Sequence, residues 1–301
     1  VQPFAGLSVN MPSGRSALFG SAAAARMDPD LVEIASFGEG WNVGPTVGLN
    51  LPISSALMVT GSVGYTWRGV FDRERSLVEP NPAAQSLAQV DPGDVLTGTA
   101  SIGYQAAPWA WKLSASVSDE TATRENSLDL FRTGRRYFAT GTVSYTWPER
   151  WGQSTLTGSF AHTNRNDVKF LALPALLTEL MSSNSDLSRV ELQHLFAVTP
   201  NFVIGPTGSY LYRAHNGYDT GTLQFVSAKG RAGAGVLARY AATGNVTLNF
   251  RAERVWTEEQ DMPAPGGKQF SVLANGFVAA LGPPVVSSTG WVVVGGVNAK
   301  F

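Results

Sequence analysis

The sequence predicts an all-β fold: a 12-stranded antiparallel transmembrane β-barrel with short periplasmic turns and long extracellular loops. Three observations carry this. Segments of about 9–13 residues alternate strictly between apolar and small polar side chains, the period of a strand with two unlike faces. Crossing a bilayer takes about 9–11 residues of tilted strand, whereas strands of globular proteins average about 5–6. Aromatic residues gather at both ends of these segments, as two girdles at membrane–water interfaces require. Connections alternate between short and long, which is the rule for outer-membrane barrels.

The elements follow in order. PFAGLSVNM opens the chain already alternating, and TVGLNLP (46–52) resumes the pattern after a long connection, 13–43. In ALMVTGSVGYTW (56–67), Leu57, Val59, Gly61, Val63, Tyr65 and Trp67 share one face, while Met58, Thr60, Ser62, Gly64 and Thr66 share the other. LTGTASIGYQA (96–106), WAWKLSASVS (109–118), YFATGTVSYTW (137–147) and STLTGSFAHT (154–163) continue it. RVELQHLFAV (189–198), FVIGPTGSYLYR (202–213), RAGAGVLARYA (231–241), VTLNFRAERVW (246–256) and GWVVVGGVNAKF (290–301) complete it. Short connections fall at 53–55, 107–108, 148–153, 199–201 and 242–245. Long ones fall at 13–43, 69–93, 121–136, 164–186, 214–223 and after Trp256. Trp67, Trp256 and Trp291 mark the extracellular girdle, and Trp109, Trp147 and Phe301 the periplasmic one.

FSVLANGFVAAL (270–281) also alternates, and counting it gives thirteen strands. Bacterial single-chain barrels have even strand numbers, so this segment is assigned to a final extracellular loop, 257–288; its apolar residues also fit a short helix. KFLALPALLTELM (169–181) and SALFGSAAAARM (16–27) lie in other long connections. Loops facing open water are not expected to be this apolar. They are expected to bury one another or meet a neighbouring subunit and, compatibly with that, to gate the pore through Phe170, Leu173, Leu176, Leu177, Phe270, Leu273 and Phe277.

The second face is mostly Thr, Ser, Gly, Ala and Asn, and twelve strands around such small residues leave a polar lumen. Its candidate pore-lining charges are Lys112, Arg189, Glu191, Arg213, Arg231, Arg239, Arg251 and Glu253. Their cationic bias predicts a preference for anions, while pairing across adjacent strands to stiffen the wall is the competing reading. His162, His194 and His215 show no spacing to a serine and a carboxylate, so no enzyme is expected. GRAGAG (230–235) lies inside a strand with no following helix, so small size and sheet bending account for it better than phosphate binding. The acidic loop residues Asp28, Asp30, Glu258, Glu259 and Asp261 lack calcium-loop spacing. They suit solvent or lipopolysaccharide-bound cations, and neither a metal nor a cofactor is expected.

Composition agrees. Of 301 residues only 15% are charged and 44% are hydrophobic, so much surface is expected to face neither bulk water nor an ordinary core. The net charge of −1 argues against a nucleic-acid partner, and zero cysteines exclude disulfides and thiol chemistry. The chain reads as one barrel domain, 1–301, and Val1 already stands in a strand, so an upstream periplasmic region is expected beyond these residues.

The stretch leading into VNMPSGRSAL is similar to the LPTGK start of outer-membrane transporters of the meta-pathway of phenol degradation. SYLYRAHNGYD, RAERVW and GWVVVGGVNAKF resemble later strands of the same group, spread over nearly the whole chain. In size it resembles most closely the functional-amyloid (Fap) secretion pores of pseudomonads. That resemblance implies a homotrimer in the outer membrane of a Gram-negative bacterium, passing unfolded amyloid subunits through a gated polar lumen and contacting lipid and lipopolysaccharide. The family's periplasmic coiled coil and helical plug have no counterpart in these residues. The alternative function is an uptake channel for small hydrophobic or aromatic compounds.

Overall fold

A computed structural model describes residues 1–11, 40–74, 87–148, 151–169, 175–219, 225–259, 270–272, 278–280 and 287–299. The first strands are β1 (Gln2–Asn10), β2 (Asn42–Pro52), β3 (Leu57–Arg68), β4 (Phe71–Glu74), β5 (Leu87–Asp91), β6 (Val95–Ala106) and β7 (Trp109–Glu120). Next come β8 (Thr123–Glu125), β9 (Leu128–Arg132), β10 (Arg136–Thr146), β11 (Gln153–Thr163), β12 (Asp167–Lys169) and β13 (Leu176–Thr178). The rest are β14 (Leu187–Thr199), β15 (Phe202–Arg213), β16 (Lys229–Ala241), β17 (Val246–Glu259), β18 (Phe270–Val272), β19 (Val278–Ala280) and β20 (Ser287–Ala299). No α-helix occurs among the described residues.

Twelve of these strands form one antiparallel sheet in the order β1-β2-β3-β6-β7-β10-β11-β14-β15-β16-β17-β20. Each long strand pairs with the next long strand along the chain, so the topology is a pure meander. Its strands run from 9 to 14 residues, the length that alternation predicts. The tight connections lie together at one end of the sheet. In one of them Gly152 adopts φ +76°, where an L side chain is strained, and the Gly152 carbonyl accepts from Trp147 N–H (2.8 Å). β1 and β20 stand at the two edges and are not hydrogen-bonded to each other. The expected strand number and direction are therefore present, but the sheet is open rather than closed into a barrel.

The long connections at the other end carry structure that the sequence reading left as loops. Three consecutive ones contribute the hairpins β4–β5, β8–β9 and β12–β13, which join edge to edge as a second, six-stranded sheet. β5 pairs with β8 and β9 with β12, so separate connections are stitched into one unit. The β8–β9 turn uses Asn126 and Ser127, both with positive φ, the two-residue hairpin geometry that suits strand twist. A further link ties the next connection in: Gly217 N–H donates to the Ser182 carbonyl (2.8 Å).

β18 and β19 fall inside segment 270–281 and pair only with each other. The described residues of that segment thus stand apart from the twelve-stranded sheet, as strand parity requires, and pair as two short antiparallel strands instead of the helix that its spacing also fitted.

Candidate functional site

Directly paired residues of antiparallel strands share a face, so the register assigns every side chain of the main sheet. One face carries Val47, Val63, Leu113, Val143, Leu156, Leu192, Phe250 and Val293; the other carries Asn50, Thr60, Ser62, Thr99, Ser116, Thr142 and Thr157. The apolar face is exposed, and the other face holds the buried side chains of the sheet, Leu195, Leu211 and Val255 among them. Leu192 and Phe250 on the apolar face are 55% and 49% exposed, while Thr207 and Glu253 on the polar face are 4% and 3% exposed. Among the described residues nothing covers the apolar face, and the polar face is the sheltered side of strands β14 to β17.

All eight candidate pore-lining residues fall on that polar face. The register adds Arg68, Arg136, Lys229, Glu120 and Glu259 to the same face. Nine cations thus stand against four carboxylates, a surplus of five positive charges that the chain's net −1 conceals. The charges are laid out unevenly. From β1 to β11 the face is nearly neutral and zipped by hydroxyls, with Thr142 against Thr157 (3.3 Å) and Ser144 against Thr155 (3.0 Å). Lys112 is the one charge at the middle of that half, and Arg68, Glu120 and Arg136 meet at its end.

From β14 to β17 the charges join into a network. Arg251 donates through Nη1 to Glu191 Oε1 (2.9 Å) and through Nη2 to Glu253 Oε1 (2.8 Å), while Arg189 Nη2 donates to Glu191 Oε2 (3.1 Å). Ser209 Oγ donates to Glu253 (3.4 Å), Arg239 Nε donates to Asn249 Oδ1 (3.1 Å), and Lys229 pairs with Glu259 (3.2 Å). Glu191 and Arg251 lie on strands separated by β15 and β16, and glycine lets them meet. A Cβ at Gly235 would lie 2.0 Å from the Ala252 carbonyl oxygen and 2.6 Å from Glu253 Cγ. GRAGAG is therefore explained by a side-chain crossing: its glycines leave the room in which Glu253 lies across the strand. Arg189–Glu191 and Arg251–Glu253 pair within single strands and Arg251–Glu191 spans two intervening strands, so the pairing across adjacent strands that the sequence left open is seen instead in Lys229 and Glu259.

Some polar-face residues are apolar, which alternation alone did not reveal. Phe4 folds over Gly48, and Val292 and Val294 share the face on β20. These three belong to the edge strands, and Phe138, Leu195, Leu211, Leu237 and Val255 stand on the same face of interior strands. Of the girdle candidates, Trp67, Trp256 and Trp291 sit on the apolar face beside the long connections, and Trp109 on the same face beside the tight turns. Trp147 extends that second cluster, with Trp109 against Tyr145 and Tyr145 against Trp147 both at 4.7 Å. Phe301 lies outside the described residues. Among the gating candidates, Leu176 is half-buried and Leu177 exposed on β13, an edge of the smaller sheet. Phe270 begins β18, and Phe170, Leu173, Leu273 and Phe277 lie outside the described residues.

The histidines have partners that only the fold discloses. Trp147 Nε1 donates to Ser154 Oγ (2.8 Å), which leaves the serine proton for His194 Nδ1 (2.7 Å). That chain satisfies three polar groups on the apolar face. His162 Nδ1 meets Asp186 (2.6 Å) at the end of β11 beside the long connections.

There the structure encloses a polar cavity of about 570 Å³ lined by Arg132, Arg135, Arg165, His162, Asp119 and Asp167. Arg132 pairs with Asp167 (2.6 Å) and Arg135 with Asp119 (2.8 Å). The hydrogen bond to Asp119 holds the Arg135 guanidinium above its ordinary pKa, so it is charged at any working pH. Arg165 has no carboxylate partner among the described residues and donates to the Leu180 carbonyl (3.2 Å). A cavity of about 710 Å³ adjoins it across Asp119, Arg132 and Asp167, and Asp94, Glu120 and Asp129 make its lining predominantly acidic. A third, apolar bay of about 1270 Å³ is lined chiefly by apolar-face residues of β1, β2, β3, β6 and β7. No protein-family model matches the chain, and no curated protein matches it.

Proposed function

We propose that this chain is an outer-membrane channel in which β1 pairs with β20, the apolar face meets lipid and the polar face lines a lumen. The exposed apolar face carries this reading: Leu192 and Phe250 are stable in lipid and costly in water, at about 25 cal/mol per Å² of apolar surface. Twelve strands fall between the roughly eight that side chains fill and the 16–18 of open porins. The cargo is an unfolded polar polypeptide of the functional-amyloid type, moving outward. The neutral Ser/Thr/Gly wall from β1 to β11 supports this, because it offers few strong contacts to a passing chain, and so does the family resemblance, which also supports a homotrimer. A second reading, uptake of small apolar compounds, is favoured by Phe4, Val292 and Val294, which closure would bring side by side in the lumen.

Closure is testable without background because the chain has no cysteine. The polar face carries even-numbered residues on both edge strands. Gly6→Cys should therefore cross-link with one of Val294→Cys, Gly296→Cys or Asn298→Cys, but not with Gly295→Cys or Val297→Cys. A Cβ at Gly6 or Gly296 meets nothing within 4 Å, so neither change disturbs packing. Failure of all three even-numbered pairs in membranes would show that the sheet stays open.

For the channel itself, planar-bilayer recordings should give stepwise currents that reverse toward the chloride potential in a salt gradient. Deleting residues 270–281 should raise the unitary current, since β18 and β19 pair with no strand of the main sheet. An unfolded hydrophilic peptide should block the current transiently, whereas small aromatic compounds should do so under the uptake reading. Silent bilayers containing correctly inserted protein would sink the channel.

A further inference from the structure

The polar cavity at the rim and the apolar bay are two halves of one site. They meet on two adjacent strands. On β7, Val117 lines the bay and Asp119, two residues on and on the same face, lines the polar cavity. Across the ladder, Tyr137 of β10 lines the bay, while Arg135, two residues before it, lines the polar cavity. Tyr137 is paired directly with His162 of β11, their rings 6.2 Å apart, and His162 belongs to the polar cavity. The bay is carved by a row of small residues in direct register, Gly61, Ala100 and Ala115, walled by Leu49, Val63 and Val117. It is open to the side and apolar, and the cavity at its end offers three guanidiniums against two carboxylates.

We infer that this is a binding site for a phosphorylated, multi-acylated glycolipid of the outer leaflet, with acyl chains in the bay and a headgroup phosphate among Arg132, Arg135 and Arg165. The inference rests on the reading that the apolar face meets lipid. Guanidinium forks match phosphate geometry, and Arg165 is the donor without a competing carboxylate among the described residues. Thr133, Thr163 and Ser182 bring hydroxyls suited to the sugar to the same cavity. Arg132 lines the adjoining cavity too, but the five carboxylates there disfavour phosphate, which places the headgroup on the side of Asp119 that holds Arg135 and Arg165. A free phosphate would use the cavity alone; a glycolipid uses both halves.

The test places the full chain in nanodiscs of zwitterionic phospholipid and titrates in a phosphorylated, multi-acylated diglucosamine lipid, its dephosphorylated counterpart, or inorganic phosphate. The phosphorylated lipid should bind about tenfold more tightly than the dephosphorylated one, the scale of charge-assisted hydrogen bonds. Arg132→Gln combined with Arg135→Gln should erase that preference. Ala115→Phe, which fills the bay, should weaken the lipid and leave inorganic phosphate unaffected. Asp119→Asn should tighten lipid binding, which a merely structural role for the ion pairs does not predict. Equal binding of both lipids, or displacement by inorganic phosphate with no effect of Ala115→Phe, would overturn the site. A protein that never enters the nanodisc sinks the membrane reading too, whereas one that inserts but shows no preference sinks the site alone.

Discussion

Val63→Arg or Val143→Arg abolishes membrane insertion, whereas Ser62→Arg and Thr142→Arg leave it intact: this is the largest effect expected of any point change. Val63 and Val143 are exposed mid-strand on the apolar face, between Val47 and Gly98 and between Leu156 and Trp111 respectively. An arginine on a lipid-facing strand at the midplane costs about 2–4 kcal/mol. Neither site has a carboxylate within the ladder to offset it. Ser62 and Thr142 stand one residue away on the opposite face, where a long cation projects into water. The only bond lost at Thr142 is the contact with Thr157, about 1 kcal/mol or less. Insertion is read by resistance to carbonate extraction and by protease protection in vesicles. Equal damage from neighbouring positions would refute the face assignment, because a period of two is its whole basis.

Glu191→Gln combined with Glu253→Gln destabilises the protein by about 3 kcal/mol and makes the pore more anion-selective. Both carboxylates that hold Arg251 disappear, and Arg189 loses its bond to Glu191. Stripping a buried guanidinium of its partners costs about 3–5 kcal/mol. The lower value applies because about a quarter of the Arg251 side chain remains exposed. Adding Arg251→Gln should recover much of the loss, since the stranded charge goes with it. Urea unfolding in vesicles measures the stability, and the reversal potential measures the selectivity. If the double variant unfolds like the parent, the network is decorative; if the triple variant is worse still, the cost lies in packing.

Strand number, length, direction and faces were legible because alternation is a local signal repeated many times. Leu57 to Trp67 declares its two faces without any other strand, and the register agrees with it. Parity likewise separated segment 270–281 from the main sheet. The pairing of short strands between connections was hidden. Val90 opposite Glu125, or Val168 opposite Phe131, joins pieces too short to show a period, separated by whole strands. The candidate site was half legible for a similar reason. Alternation put Glu191 and Arg251 on one face, but their contact depends on Gly233 and Gly235 opening the strands between. The rim cavity was missed because Arg132, Arg135 and Arg165 come from two connections, which the pairing of β10 with β11 and of β9 with β12 brings together beside His162 of β11. The sheet is open, and its closure would be a single pairing between β1 and β20 that no repeated pattern encodes.

The meander has a consequence for how such a sheet comes into being. Eleven ladders join strands that follow one another along the chain, so each can form soon after its neighbour at modest entropic cost. A twelfth, between β1 and β20, would have to find its mate across nearly the full contour of the polypeptide. That search comes last and is the slowest. Until it ends, two edges of unpaired amides and carbonyls remain adhesive to any strand nearby. Assembly would thus run as a zipper with a late buckle, and in a refolding time course the Gly6→Cys cross-link should mature only after every hairpin is protected from hydrogen exchange.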